Sequence, residues 1–102
     1  MANFVMLTRV DHMPGQEPTQ LEELEKKVKS AVESACPDVD WVCNYAIMGP
    51  YDYLDIFTAP DVETAMKVGT IVRTHGNATV QIWPATEWAR FKDIARDSTS
   101  AA

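Results

Sequence analysis

The stretch GPYDYLDIFTAPD, residues 49–61, is the most informative about the fold because it contains a turn, a strand and a helix start in succession. Gly49–Pro50 is a turn signal, and Ala59–Pro60–Asp61 is typical of a helix start with the aspartate as N-cap. Between them, aromatic and acidic residues alternate with aliphatic ones, which predicts a strand with two partly apolar faces. One layer of helices buries only one such face, so something else must cover the other.

Three helices are predicted around this stretch. A capping box, Thr19 with Glu22, opens the first helix, which ends before a proline. The second helix begins after Asp61 and carries His75 in its last turn, followed by Gly76, whose freedom at positive φ suits a C-cap. A third helix is expected after the proline that ends the last strand.

Four strands are predicted, over residues 3–10, 39–48, 51–59 and 77–83. Strands and helices follow the order βαββαβ plus a C-terminal helix. This is the ferredoxin-like α+β arrangement, with two helices on one face of a four-stranded antiparallel sheet. One domain is expected over residues 1–96, with a disordered tail over residues 97–102.

The sheet face opposite the two helices, here called the open face, is predicted to be rich in aromatic side chains. Leu54 and Ile56, like Val80 and Ile82, are expected to face the helices. The side chains then expected on the open face are Tyr51, Tyr53, Asp55, Phe57, Thr79, Gln81 and Trp83. Aromatic side chains bury roughly 150–250 Å² each, so this patch exceeds what a soluble monomer usually exposes.

A second copy of the sheet is the predicted cover, because homodimers are the commonest assembly. Two sheets face to face enclose a dimeric α+β barrel, and larger homo-oligomers are equally compatible with the pattern. The phase of the second strand depends on the length of the Gly49–Pro50 turn. An odd turn puts Trp41, Cys43, Tyr45 and Ile47 on the open face, and an even turn puts Val42, Asn44, Ala46 and Met48 there.

Composition restricts the possible partners. The net charge of −6 and the pI of about 4.7 argue against nucleic acid and anionic membranes, which bind clustered Lys and Arg. No apolar run reaches the roughly 20 residues of a membrane span. The N-terminal residues lack the pattern of a signal peptide, so a cytoplasmic protein with two free thiols, Cys36 and Cys43, is expected.

A barrel interior of this composition mixes aromatic rings with a few polar groups, as small-molecule pockets do. The predicted ligand-binding residues are Tyr51, Tyr53, Asp55, Phe57, Gln81 and Trp83. The alternative is that these side chains only fill a subunit interface. A carboxylate between Tyr53 and Phe57 should have a raised pKa unless it is paired. It could bind a ligand cation or pair with Arg9 of a second copy, and pairing is favoured because buried charges usually have partners.

Neither a metal site nor a cofactor is predicted. His12 and His75 do not stand at metal-ligand spacing from each other or from a cysteine. The sequence leaves open a metal or haem site formed between two copies of the chain. No catalytic residue is assigned, since Asp52 is better explained as an acceptor for the backbone of the turn than as a proton acceptor or ligand at the barrel mouth.

The motif Gly49–Pro50–Tyr51–Asp52, followed by an aliphatic strand and Ala59–Pro60–Asp61, resembles the GYD domain family. That family takes its name from Gly, Tyr and Asp, here Gly49, Tyr51 and Asp52. The resemblance implies a ferredoxin-like domain of the dimeric α+β barrel type, mostly prokaryotic, and implies no activity. The hairpin also resembles the ligand-binding domain of Lrp/AsnC-type regulators, without their DNA-binding half.

Three functions are compatible with these features. The first is a homo-oligomeric module that binds a small, partly apolar or aromatic molecule at the sheet face. The second is a barrel-type oxygenase or metal-dependent enzyme. The third is a structural or assembly protein whose aromatic face serves only subunit contacts.

Overall fold

Residues 1–10 and 18–100 are described by the computed structural model, with the side chains of residues 18–21 and 100 excepted. The elements are β1 (Ala2–Val10), α1 (Pro18–Ala35), β2 (Asp40–Ala46), β3 (Tyr53–Ala59), α2 (Val62–Gly76), β4 (Ala78–Ala85) and α3 (Trp88–Ser100). The strands form one antiparallel sheet in the order β2-β3-β1-β4. The predicted ferredoxin-like α+β fold is confirmed.

Local chemistry explains where the helices begin. Proline suits the first turn of α1, where a backbone N–H has no partner in the helix. Thr19, predicted to open α1 in a capping box with Glu22, lies one residue inside the helix, and its side chain lies outside the described residues. At the start of α2, the Asp61 carboxylate accepts from the Thr64 N–H at 2.7 Å and from the Thr64 hydroxyl at 2.7 Å. These bonds lower the pKa of Asp61 and confirm it as the N-cap.

The end of α2 differs from the prediction by one residue. His75 lies in the last helical turn as expected. The left-handed residue is Asn77, with φ 48° and ψ 56°, whereas Gly76 is the last residue of the helix and is buried. Asparagine adopts this conformation more readily than most residues, so it serves as the cap.

Phe57 lies at the centre of the core, and its position shows that the phase predicted for β3 is wrong. Its side chain is 0% exposed, and its ring centroid lies 5.6 Å from that of Phe4 and 5.5 Å from that of Trp41. Val32 of α1 and Val68 of α2 belong to the same buried cluster. Phe57 and, by alternation, Tyr53 and Asp55 therefore face the helices.

Leu54 and Ile56 consequently point to the open face. Ile56 pairs with Cys43 and Val5, and Leu54 pairs with Tyr45 and Leu7. Neighbours directly across an antiparallel pair share a face. On β4 the predicted phase is confirmed, because Val80 and Ile82 pack against the helix-side core.

A β-bulge resolves the phase of β2. Trp41 pairs with Phe57 and Cys43 pairs with Ile56, so Val42 is an extra residue without a register partner. Trp41 therefore faces the helices, whereas Cys43 and Tyr45 face the open side. The alternative with an even turn is right for Trp41, and the alternative with an odd turn is right for Cys43 and Tyr45. Both hold in part because the bulge changes the phase within the strand.

The two helices cover the sheet unequally. Within the described residues, Cα atoms of α2 lie within 8 Å of β1, β3 and β4, whereas none of α1 lies that close to a strand. Gly69 permits the close approach of α2, since a Cβ there would lie 2.8 Å from Ile82 Cδ1. The C-terminal half of α1 reaches the core through Val32, and its N-terminal half stands away from the sheet.

Helix α3 extends away from the sheet. No Cα atom of α3 lies within 8 Å of another described element, and the molecule measures 57 Å along its longest axis. Trp88 and Phe91 stack with ring centroids 5.9 Å apart and remain exposed. The predicted disordered tail overlaps this helix over residues 97–100, and residues 101–102 lie outside the described residues.

Candidate functional site

A cleft of about 460 Å³ lies between the N-terminal half of α1 and the helix-side face of the sheet. It forms because α1 stands further from the strands than α2 does. The described residues that line it are Met6, Thr8, Val10, Glu22, Leu24, Glu25, Val28, Lys29, Trp41, Asn44, Tyr45, Ala46, Tyr53, Asp55, Val72, Gly76 and Ala78. Its size falls within the range of roughly 300–1,000 Å³ typical of small-molecule sites.

Sheet register places the polar groups of the cleft floor in adjacent rows. Asp55 lies between Asn44 of β2 and Met6 of β1. Tyr53 lies between Ala46 of β2 and Thr8 of β1 in the next row. The aromatic ring of Trp41 and the aliphatic side chains of α1 and α2 make the remaining wall mostly apolar.

Thr8 is the most buried polar side chain of the cleft. The residue is 4% exposed, and its hydroxyl has no hydrogen-bond partner within the part of the chain that the structure describes. An unsatisfied buried hydroxyl costs roughly 1–3 kcal/mol. Thr8 lines the cleft, so a bound molecule that displaces the side chains over this hydroxyl recovers that cost by hydrogen bonding to it.

Asp55 is half-buried in the cleft, and burial raises its pKa to about 6. The charge of Lys29 opposes this increase in the pKa of Asp55, and the charge of Glu25 adds to it. Lys29 itself pairs with Glu25 at 2.9 Å on the exposed rim. No described residue donates a hydrogen bond to the Asp55 carboxylate.

The surroundings that raise the pKa of Asp55 also raise the pKa of Tyr53. Its pKa is raised first by desolvation, and then by the negative charges of Asp52, Glu25 and Asp55. The cleft therefore holds a neutral phenol beside a carboxylate, with one buried hydroxyl in reach of the same floor. Such a combination binds a small molecule by hydrogen bonds at one end and by apolar contact elsewhere.

The raised pKa of Asp55 makes the folded chain relatively more stable at low pH. In the folded state this carboxyl holds its proton up to about pH 6, whereas an unfolded carboxyl loses it near pH 4. The stability contribution is fully present below pH 4 and is lost as pH rises through about 6. Discounted for partial exposure, it amounts to about 1 kcal/mol.

Asp55→Asn should therefore raise the free energy of unfolding by about 1 kcal/mol at pH 7.5 and change it little at pH 4. Urea unfolding across this pH range measures the difference between variant and wild type. Asp38→Asn is the matched control, since Asp38 is an exposed acid in the turn between α1 and β2. A difference that is the same at both pH values contradicts the prediction.

Asp52 of the turn motif ties the hairpin to β1. Its carboxylate accepts from the Val10 N–H at 2.8 Å, and its own N–H donates to the Thr8 carbonyl at 2.8 Å. Its carbonyl accepts from the Ile47 N–H at 2.8 Å, which closes the turn. The carboxylate thus binds backbone as predicted, although the backbone belongs to β1 and not to the turn itself.

Asp52→Ala should lower the free energy of unfolding by about 1–3 kcal/mol, because the part-buried Val10 N–H loses its acceptor. Chemical denaturation measures the loss, and Asp52→Asn should lose less because one acceptor oxygen remains. Asp38→Ala serves as a surface control that changes stability by at most about 0.5 kcal/mol. Equal stability of Asp52→Ala and wild type would count against this role.

The predicted ligand-binding residues separate into three groups. Tyr53 and Asp55 lie in the cleft, and Phe57 lies in the core beneath it. Gln81 and Trp83 lie on the open face, where the Trp83 Nε1 donates to Gln81 Oε1 at 3.2 Å. Tyr51 is partly exposed in the turn before β3. Their ligand-binding role remains a prediction, but they do not share one site.

Thr8, Asn44 and Trp41 were not predicted as site residues. Thr8 is the one polar residue on the face of β1 that also carries Phe4 and Met6. A polar residue in an otherwise apolar set is the feature of the sequence that could have identified it as a site residue. Arg9 lies in the opposite phase of β1, on the open face, so it is on the other side of the sheet from Asp55.

Other candidate groups lie apart from the cleft or have no suitable neighbours. Among the described residues, no three His, Cys, Asp or Glu side chains group as a metal site requires. Cys36 is buried and Cys43 is partly exposed, both as free thiols. His12 lies outside the described residues. No helix in residues 18–100 combines the length and the apolarity needed to cross a bilayer.

Comparison with known proteins gives a family and a set of similar folds. The sequence profile of the GYD domain matches residues 4–95. None of the curated proteins compared matches the chain. A crystal structure of TTHA0845 from Thermus thermophilus is 21% identical, with a TM-score of 0.54, and the match covers 85% of this chain and 95% of that one.

Two further structures have the same fold at lower identity. The leucine response regulatory protein LrpA of Mycobacterium tuberculosis is 12% identical, with a TM-score of 0.55 over 84% of this chain and 51% of that protein. The chain thus spans about half of LrpA. At3g17210 from Arabidopsis thaliana is 14% identical, with a TM-score of 0.52 over 85% of this chain and 95% of that one. These likenesses show the fold alone.

Proposed function

This chain belongs to the GYD domain family, and from that premise we propose that it is a cytoplasmic, self-associating module that binds a small, largely apolar molecule. The binding site is the cleft beneath α1 and not the open face of the sheet. The observation that carries this proposal is the cleft itself, with a buried Thr8 hydroxyl that has no partner among the described residues.

The dimensions of the cleft limit the ligand. At roughly 30 Å³ per water-sized group, a volume of about 460 Å³ holds about 15 such groups. Apolar walls from Met6, Val28 and Trp41 suit a hydrophobic body. Thr8 and Asp55 lie on paired strands as diagonal neighbours, with a separation of roughly 7–8 Å between their backbones, so one polar end of a ligand reaches both.

Native mass spectrometry after incubation with cell extract tests the binding function. We expect a bound small molecule on the wild type and none on Ala46→Trp, in which the indole fills the cleft. Ala35→Trp is the matched control, because Ala35 is exposed at the end of α1 and does not line the cleft. An unliganded wild type, or equal occupancy in Ala46→Trp, would overturn the proposal.

Self-association through the open face is the second part of the proposal. Tyr45 is 59% exposed and Trp83 is 51% exposed, and both flank the aliphatic side chains of Val5, Leu54 and Ile56. Such a contiguous apolar surface is unusual on a monomer. A second copy fits it best, since Arg9 and Asp40 place opposite charges at opposite ends of the face, which suits a twofold contact.

Helix α3 supplies the remainder of this interface. Four strands spaced roughly 4.8 Å apart and about seven residues long present about 450 Å² of flat area, or about 900 Å² for two copies. Stable interfaces bury roughly 1,200–2,000 Å², so the sheet alone falls short. The exposed stripe of Trp88, Phe91 and Ile94 has no partner element in the described part of its own chain. We therefore place it against the second copy.

Acid–base catalysis is a second candidate function, favoured by a carboxylate with a raised pKa beside a phenol in the cleft. It predicts that a molecule bound in the cleft is converted and that Asp55→Asn stops turnover while retaining binding. Product analysis of the extracted ligand distinguishes the two functions. A purely structural protein, the third possibility, predicts that wild type and Ala46→Trp are both free of ligand.

A further inference from the structure

We infer that the molecule bound in the cleft is a small organic cation, a primary or secondary ammonium on an apolar body. The inference rests on the proposed binding function and concerns the chemistry of the same site. Three features of the cleft support it: the charge of its floor, the unpartnered hydroxyl and the aromatic wall.

Negative charge predominates in the cleft. Asp55 and Glu22 carry one negative charge each, and Glu25 and Lys29 cancel one another in their ion pair at 2.9 Å. The groups that face Asp55 are Lys29 and Glu25 from α1, the Asn44 amide from β2 and the Tyr53 phenol of its own strand. Their sum leaves one uncompensated carboxylate in the floor above pH 6.

The Asp55 carboxylate and the Thr8 hydroxyl together fit an ammonium head. An ammonium group donates two or three hydrogen bonds, and both groups accept. Neither has a hydrogen-bond donor among the described residues. A carboxylate ligand would meet Asp55 with the same charge, and an alcohol would leave the buried negative charge without a counter-ion.

The aromatic wall favours the same class. Trp41 and Tyr53 line the cleft on either side of Asp55 along the sheet. Aromatic faces attract ammonium groups, and they also pack against an apolar body. An alkyl or arylalkyl amine satisfies the polar floor and the apolar wall at once.

Binding of this class depends on pH. A cation binds preferentially to the ionised form of Asp55. The affinity of the cleft for the cation therefore rises as pH increases through about 6 and levels off above it. Proton release accompanies binding near pH 6, because the bound cation lowers the pKa of Asp55.

Calorimetric titration with matched probes tests the inference. The probes are butylamine, cyclohexylmethylamine and 2-phenylethylamine, each compared with the alcohol and the carboxylate of the same body. At pH 8 we expect at least one amine to bind at least tenfold more tightly than its alcohol and carboxylate. Asp55→Asn should weaken that amine at least tenfold and so remove its advantage over the alcohol, whereas Asp38→Asn, at an exposed acid outside the cleft, should bind like wild type.

Thr8→Val gives an independent variant, with at least threefold weaker amine binding expected from the loss of one acceptor. Circular dichroism verifies that each variant is folded. If the alcohols or carboxylates bind as tightly as the amines, the inference of a cationic ligand is wrong, whereas the cleft is still a binding site. Absence of binding by every probe to folded wild type at millimolar concentration would overturn the binding function as well.

Discussion

Phe57→Ala is expected to lower the free energy of unfolding by about 3–5 kcal/mol, the largest effect of any single substitution considered. The side chain is 0% exposed and contacts the rings of Phe4 and Trp41, so truncation removes buried area and leaves a cavity. A domain of this size is typically stable by about 5–15 kcal/mol. The melting temperature should fall by roughly 15 °C or more.

Trp83→Ala is the matched control for Phe57→Ala. Trp83 is also aromatic and lies in the sheet, but on the open face and 51% exposed. At concentrations where the chain is monomeric, its truncation should cost at most about 1 kcal/mol. Urea denaturation of both variants decides which face of β3 is internal. Equal losses in the two variants would mean that Phe57 does not face the core.

Replacing Trp88 and Phe91 together by alanine is expected to dissociate the assembly. Each side chain contributes roughly 1.5–3 kcal/mol when buried, and a twofold dimer buries two copies of each. Half of that sum is about 3–6 kcal/mol, so the dissociation constant of the proposed dimer should increase more than 100-fold. Sedimentation velocity across a concentration series measures this change.

Arg96→Ala provides the control for α3, because Arg96 pairs with Asp93 on the polar side of the helix. It should dimerise like wild type. A helix of 13 residues is marginal in isolation, so dilution of the wild type should also reduce the far-ultraviolet helical signal. A wild type that stays monomeric at millimolar concentration, or a double variant that dimerises normally, would exclude this role for α3.

The order of elements follows from the sequence because each has a local cause. Asp61 caps α2 through Thr64, and the alternation in β3 has the period of a strand. Prolines and polar clusters separate these segments. Such signals act within a few residues, so the elements they specify can be predicted from the sequence without knowledge of the tertiary structure.

Which side chains of β3 point toward the helices was not predictable in the same way. Its two phases, one with Leu54 and Ile56 and the other with Tyr53 and Phe57, are both apolar enough for a core. The choice depends on the neighbouring strands, which put Phe57 between Phe4 and Trp41. Packing of this kind joins residues distant in sequence, and a single chain's periodicity carries no information about it.

Part of the site was nevertheless recognisable. Tyr53 and Asp55 were predicted to bind a ligand because polar groups among aromatic rings are typical of small-molecule pockets. Both line the cleft, on the opposite side of the sheet from the one predicted, and their role in binding stays a prediction. Thr8 was missed because its significance comes from the unequal distances of α1 and α2 from the sheet, which no local pattern records.

The bulge in β2 has a consequence for how this chain tolerates changes in length. Deleting a residue from a regular strand reverses the facing of every residue beyond it. Val42 is the exception, since Trp41 and Cys43 pair with adjacent residues of β3 and already face opposite sides. Removing Val42 would leave the cleft wall and the open face that we propose as the subunit contact as they are, so homologous chains with one residue fewer at this point can retain both surfaces.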